Sequence, residues 1–282
     1  MSTPRATFRS ATFSGYATGV LDLEVAGRRV LSVPTQLGCT VGCSFCISRT
    51  RPLVRNLQAT EMLALVESCL SAAPANGAPV EISFTGEGEP LLNWKQAELV
   101  VRELAARGVA QSARYCLSGL GSHKLLPLLD TRILPTRLQV SLHAARQEIR
   151  DTLVPNSIPL PLLEQTLQAQ AHRFAGVELN VVLQEGVNDT EADLEALATW
   201  GDMAWPILLN PQLTESSLQV ALRTQHFAEQ LRRAGRTVRV YRELAQEIVR
   251  NGLYSRMSAK PVRIMRTTAI KPTALDLALS PT

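Results

Sequence analysis

Two hydrophobic periods alternate along most of the chain. Val80-Glu81-Ile82-Ser83-Phe84 has the period of two expected for a strand, and similar short runs predict strands at 30–33, 114–117, 138–142, 177–183, 206–209 and 237–241. Between them, apolar residues spaced three and four apart predict helices at 60–73, 94–107, 160–174, 190–200 and 219–234, the first capped by Thr60. Strand–helix alternation implies parallel βα units, here about six. The expected fold class is α/β, a partial (β/α)6 TIM-like barrel, with its chemistry on loops at the C-terminal ends of the strands. Residues 1–29 read as a small N-terminal β-extension, with strands at 7–13 and 20–25 and a turn at Ala26-Gly27. The barrel core then spans 30–264, and 265–282 is a weakly patterned tail.

Composition narrows the class. With 45% hydrophobic and 19% charged residues the chain is of ordinary globular make-up, which excludes disorder as its main state. No run of 18 apolar residues and no apolar leader after Met1 is present, so a cytoplasmic protein without a membrane span is expected. The charge is uneven. Residues 223–271 carry twelve Lys/Arg against three Glu, whereas the remainder carries seventeen against twenty-two Asp/Glu. A basic final third can hold phosphates, or it can be the solvated face of Arg-rich helices.

The five cysteines are not a disulfide framework in such a protein. Three of them, in Cys39-Thr-Val-Gly-Cys43-Ser-Phe-Cys46, share one glycine-containing loop after a strand. Structural zinc sites want four ligands, and no second CxxC follows. Three thiolates on a [4Fe–4S] cluster would leave one iron open for a ligand. Cys69, among Leu65, Val66 and Leu70, reads as a small core residue, and His123, His172 and His226 have no partner pattern.

The Cx3Cx2C spacing resembles that of the radical S-adenosylmethionine (radical SAM) enzymes. The likeness continues through Gln36-Leu37-Gly38-Cys39, Arg55-Asn56-Leu57, the run Gly86-Glu87-Gly88-Glu89-Pro90-Leu91-Leu92-Asn93, Ser141-Leu142-His143-Ala144, Glu148-Ile149-Arg150-Asp151, Val154-Pro155-Asn156, Val187-Asn188-Asp189 and Asn210-Pro211. Together these resemble the RlmN/Cfr family of radical enzymes that methylate adenine in RNA. The resemblance implies a [4Fe–4S] cluster on Cys39, Cys43 and Cys46 whose open iron chelates S-adenosylmethionine. One electron then yields a 5′-deoxyadenosyl radical, with a reductant such as flavodoxin or ferredoxin as partner. It also implies that the cofactor is bound by Gly88, Glu89, Ser118, Ser141, Leu142, His143 and Asn210, at or just after predicted strand ends. Phe45 would shield the cluster. The residues themselves suit these roles: a carboxylate at 89 can accept from an ammonium, and glycine lets the backbone approach a ligand. His143 alone would read as a structural hydrogen-bonder.

The family relays its methyl group through two cysteines, and this chain departs from that pattern. Seven residues before Cys39 stands Ser32, and the position of the methyl-carrying cysteine falls at Asn251. Serine is a far weaker nucleophile than a thiolate, and an amide cannot carry and deliver a methyl. No cysteine follows Cys116, which is therefore the candidate stand-in catalytic thiol, with a core position as its other reading. Glu87 replaces an apolar family residue and would be an added acid or base, or face solvent. Asp22 and Glu24 are the nearest carboxylates to the family's proposed base. With 38 residues before Cys39, no counterpart of the family's N-terminal RNA-binding domain is expected, so RNA contact would fall to 223–271. The leading reading is an RlmN-like RNA-modifying enzyme. The rivals are a radical enzyme that takes hydrogen from a small molecule, nucleotide or peptide without methylating it, and a non-catalytic cluster- and RNA-binding regulator.

Overall fold

The structure is a computed structural model and describes residues 5–25, 27–72, 77–211 and 218–240. Asn251, the basic segment after residue 240 and the tail 265–282 lie outside the described residues.

Nine strands form one sheet: β1 (Arg5–Phe13), β2 (Tyr16–Val25), β3 (Arg28–Val33), β6 (Val80–Phe84), β7 (Ser112–Leu117), β8 (Thr136–Ser141), β9 (Gly176–Leu183), β10 (Ile207–Pro211) and β11 (Val238–Val240), in that spatial order. From β3 to β11 every neighbouring pair is parallel, while β1, β2 and β3 are antiparallel. Six crossovers join the seven parallel strands, as the alternating periods require. The fold is thus the expected α/β, mostly parallel architecture. A separate ladder of β4 (Gln36–Leu37) and β5 (Arg55–Asn56) closes the neck of the cysteine loop.

The crossovers carry α1 (Ala59–Ala72), α2 (Trp94–Ala106), α3 (Ser122–Leu125), α4 (Gln147–Leu153), α5 (Leu160–Gln170), α6 (Glu191–Thr199) and α7 (Leu218–Arg233). Neither α3 nor α4 has an expected counterpart, because each is too short to show a helical period. The helix expected over 160–174 ends at Gln170 and finishes in a 3-10 turn, Ala171–Arg173. Alternate strand residues such as Leu31, Ile82, Tyr115, Val140, Leu179 and Leu209 are buried with the helices in one core. Among the described residues no helix is long and apolar enough to cross a membrane.

The N-terminal hairpin is continuous with this sheet, since β3 pairs with β2 on one side and β6 on the other. A buried pair locks it: Arg29 donates to Asp22 at 2.9 and 2.7 Å and to the Cys69 carbonyl at 2.8 Å. Asp22 is therefore held by a structural partner on the helix side.

Candidate active site

The three thiols lie on the loop between β4 and the 3-10 turn Ile47–Thr50. Backbone bonds hold its ends, Cys39 N–H to Arg51 O at 3.1 Å and Val54 N–H to Leu37 O at 2.8 Å. Gly38 turns the chain there with φ +81°, and a Cβ would stand 2.1 Å from the Pro52 carbonyl, so only glycine fits. The loop is pinned to the end of α4 by Ser44 N–H on Leu153 O at 2.9 Å. Asn156 Nδ2 donates to the Thr40 and Val41 carbonyls at 2.9 and 3.2 Å. Val41, Ala144, Leu153 and Val154 form a second small core against which Cys39, Cys43 and Phe45 pack. Phe45 meets the His143 ring edge-on at 4.5 Å.

All five cysteines are free thiols. Burial pushes the Cys43 thiol up to about 12, and the charges of Cys46, Cys39 and Glu89 add to the effect. Burial is also the main cause that raises Cys39, with the charges of Cys46 and Glu89 adding to it. Among the described residues no three His, Cys, Asp or Glu side chains already form a metal cage. Three thiols on one short loop are nonetheless a donor set that suits a cation.

Glu89 follows β6 and the Gly-rich turn and is 1% exposed. One carboxylate oxygen accepts the Ser118 N–H at 2.8 Å and the Ser118 hydroxyl; the other, equally buried, has no hydrogen-bond partner. Burial raises its pKa to about 7. Gln36 holds its backbone, accepting the Glu89 N–H at 2.8 Å. Gly88 lies over Gln36 with φ +95°, where a Cβ would come within 2.7 Å of that side chain. A buried acceptor without a donor is costly. Its free oxygen fits an ammonium such as that of S-adenosylmethionine, so the residues present suit the implied group on two independent counts.

The remaining expected residues divide. Ser118 follows β7 and bonds the Glu89 carboxylate, Ser141 ends β8, and Asn210, next to the last residue of β10, donates to Asn180 on β9. Leu142 is fully buried in the main core, so only its backbone faces the rim. His143 adopts φ +57°, its Nδ1 accepts the Val182 N–H at 3.1 Å, and burial lowers its pKa to about 3. That geometry is a strand-end clamp, extended by Asn188 donating to the His143 carbonyl at 2.6 Å. Glu87 neither faces solvent nor stands free as an acid: it is 7% exposed, 3.1 Å from Arg51 and hydrogen-bonded by Thr18 at 3.2 Å. Cys116 is half-buried on the polar face of β7, donating to Gln139 Oε1 at 3.2 Å, unlike the fully buried core thiol Cys69. Ser32 lies on β3 in register with Ser83.

Arg150 was legible only as part of a motif. It is fully buried, and its guanidinium donates to the carbonyls of Ser118, Ser141 and Leu142, tying the ends of β7 and β8 together.

No family model matches the sequence. Curated relatives do. A probable dual-specificity RNA methyltransferase RlmN from Bifidobacterium adolescentis is 31% identical over 257 residues, 83% of this chain and 65% of its own length. Another from Chlorobium chlorochromatii is 32% identical over 182 residues, 61% of this chain and 50% of its own length. The chain is a divergent homologue of the RlmN proteins. It spans about half the length of the first curated RlmN relatives it matches. Among solved structures, a radical SAM methyltransferase from Sphaerobacter thermophilus superposes with a TM-score of 0.68 at 26% identity, covering 83% of this chain and 76% of that one. A spore photoproduct lyase, at 13% identity and a TM-score of 0.50 over 74% of this chain and 75% of that one, shares the fold alone.

Proposed function

We propose that the chain is a radical SAM enzyme of RlmN descent, acting on a nucleotide-type substrate admitted to the polar side of the sheet. The observation that carries this is the buried Glu89 carboxylate with one unpartnered oxygen, whose charge reaches the Cys43 thiol of the three-cysteine loop. Cys39, Cys43 and Cys46 would hold the cluster, and Glu89, Gly88, Ser141 and Asn210 the S-adenosylmethionine. Together that pair supplies, when bound, a single electron and a carbon radical able to take a hydrogen atom. The protein's own part is orientation and exclusion of water. Ser118 fixes the Glu89 carboxylate, Gln36 fixes its backbone, and Phe45 with the small core around Val41 and Val154 keeps solvent from the thiols.

A two-thiol methyl relay does not run with Ser32 and Asn251 in the relay positions. Cys116 is the one other thiol on the polar face among the described residues and is the candidate to work with a substrate there. RNA is the substrate that the relatives' names suggest, with the basic segment 223–271 as its contact.

The test is anaerobic. The reconstituted, reduced protein is given S-adenosylmethionine with total RNA, and nucleosides and cofactor products are read by mass spectrometry. Formation of 5′-deoxyadenosine, abolished by Cys43→Ala, is expected; cofactor cleavage that survives in Cys43→Ala sinks the radical assignment. Methylated adenosine accompanied by S-adenosylhomocysteine would instead establish RNA methylation by a route without the two relay cysteines.

A further inference from the structure

The face of the parallel sheet turned away from the helices carries polar side chains across its middle strands, with the apolar Val30, Val182 and Leu208 among them. On β7, Ala113, Tyr115 and Leu117 join the core while Arg114 and Cys116 take the other face. On β8 and β9 the same alternation turns Arg137, Gln139 and Glu178 to that face. In a closed (β/α) barrel the inward positions are filled by branched apolar side chains, so this lumen is not a packed core. It is a network. Glu81 pairs with Arg114 at 2.5 Å, the Cys116 thiol bonds Gln139, the Gln139 amide donates to Glu178 at 2.7 Å, and Glu178 pairs with Arg239.

Toward the N-terminal ends of the strands the balance is cationic. Arg114 and Arg137 are register partners on adjacent strands. Arg239 has its pKa lowered, by burial first and then by the charges of Arg114 and Arg137, which places all three guanidiniums in one field. Glu81 and Glu178 answer two of them. Arg137 has neither an ion pair nor a hydrogen bond among the described residues. Like charges gathered in a half-buried lumen oppose one another, and a guanidinium fork matches a phosphate oxygen pair better than any other common anion recogniser.

We propose that this arginine floor is a second recognition site that takes the phosphate group of a free nucleotide-type substrate, with Arg137 as its principal contact. The proposal rests on the radical SAM reading only for the position of the reacting end. Ser141 at the rim is four residues along β8 from Arg137, about 13 Å by strand rise, so one extended ligand spans both. Charge complementarity selects the phosphate: one unanswered cation, flanked by two that are already paired, suits a group with more than one anionic oxygen.

The full chain is titrated by calorimetry with inorganic phosphate, adenosine 5′-monophosphate, adenosine and an adenylate RNA oligomer lacking terminal phosphates. Saturable binding of phosphate and of the monophosphate is expected, with adenosine at least about tenfold weaker. Arg137→Gln is expected to weaken the monophosphate by about tenfold or more, a loss of about 1.4 kcal/mol, and Arg137→Lys to keep part of it. Urea unfolding of both variants separates this loss from misfolding, and Arg137→Lys carries the test if Arg137→Gln does not fold. Monophosphate binding that is absent, or equal in wild type and both variants, overturns the proposal. An oligomer that binds more tightly than the monophosphate, with the same dependence on Arg137, overturns the free-nucleotide assignment in favour of RNA. S-adenosylmethionine is titrated in parallel. If it fails to bind the reconstituted wild type while Arg137-dependent phosphate binding persists, the floor stands and the radical SAM reading falls.

Discussion

Glu89 shows what burial asks of one side chain. Ser118 solvates one oxygen of its carboxylate, and the second is buried without a hydrogen-bond partner. Glu89→Gln keeps the shape and an acceptor for Ser118 but removes the charge. A charge-assisted hydrogen bond is worth about 1.5–3 kcal/mol, so S-adenosylmethionine should bind the reconstituted variant about 10–100-fold more weakly by calorimetry; unchanged affinity would remove Glu89 from the cofactor site. His143 makes the opposite kind of prediction, one about stability. Its folded pKa, about 3, lies below the unfolded value near 6.5, so protonation favours the unfolded chain. This stability is fully present above pH 6.5 and is lost as pH falls toward 3, at up to about 1.4 kcal/mol per pH unit. Glu89 has a raised pKa and acts with the opposite sign between about 4.5 and 7, so the His143 slope must be read as a difference. Asn at position 143 tolerates the left-handed backbone and offers an oxygen where Nδ1 accepts. Urea midpoints of wild type and His143→Asn should therefore converge as pH falls from 7 to 5. Parallel curves would show that the imidazole is not held neutral.

At the scale of elements, most strands and helices were legible because each has a buried face with its own period. Val80–Phe84 was expected to the residue, and α6 lies inside the expected 190–200 helix, started by Thr190. Thr190 and Asp193 form a reciprocal capping box, at 3.3 Å from Asp193 N–H to the hydroxyl and 3.1 Å from Thr190 N–H to the carboxylate. Thr190→Ala should cost about 1 kcal/mol, read as a lower urea midpoint with an unchanged slope; no shift would mean that tertiary packing alone starts the helix. α3 and α4 were not legible. The placement of α4 depends on Arg150, whose charge is buried against carbonyls at the ends of two strands that sequence spacing does not bring together. The same strands carry a further signal in their sequence: Arg114, Gln139 and Glu178 stand at alternate positions opposite the core residues, which marks a polar face rather than a second packed one.

Across the whole molecule, Glu87 joins parts that are far apart in the chain. It pairs with Arg51 after the cysteine loop and bonds Tyr16 and Thr18 of the hairpin, while its carbonyl accepts the Thr35 N–H at 3.0 Å. Arg51 also lies over the Tyr16 ring, 4.2 Å from its centre. Glu87→Leu should leave the parallel sheet folded yet raise amide hydrogen exchange in β1, β2 and the 38–51 loop together; a change confined to one of them would show that Glu87 does not couple them. The sequence by itself determined the alternating strand–helix order, the thiol loop and the candidate cofactor residues, because hydrophobic period and ligand spacing are local properties written in consecutive residues. It also sets Ser32 and Asn251 where the family resemblance places the relay thiols. Only the tertiary structure decided that the hairpin continues the sheet, that Glu87 and His143 are ties within the fold, that Cys116 lies on the polar face and that three arginines share its floor. Those facts depend on which face each strand turns inward and which distant residue meets it there, and both are settled only when the strands pair and the sheet curves.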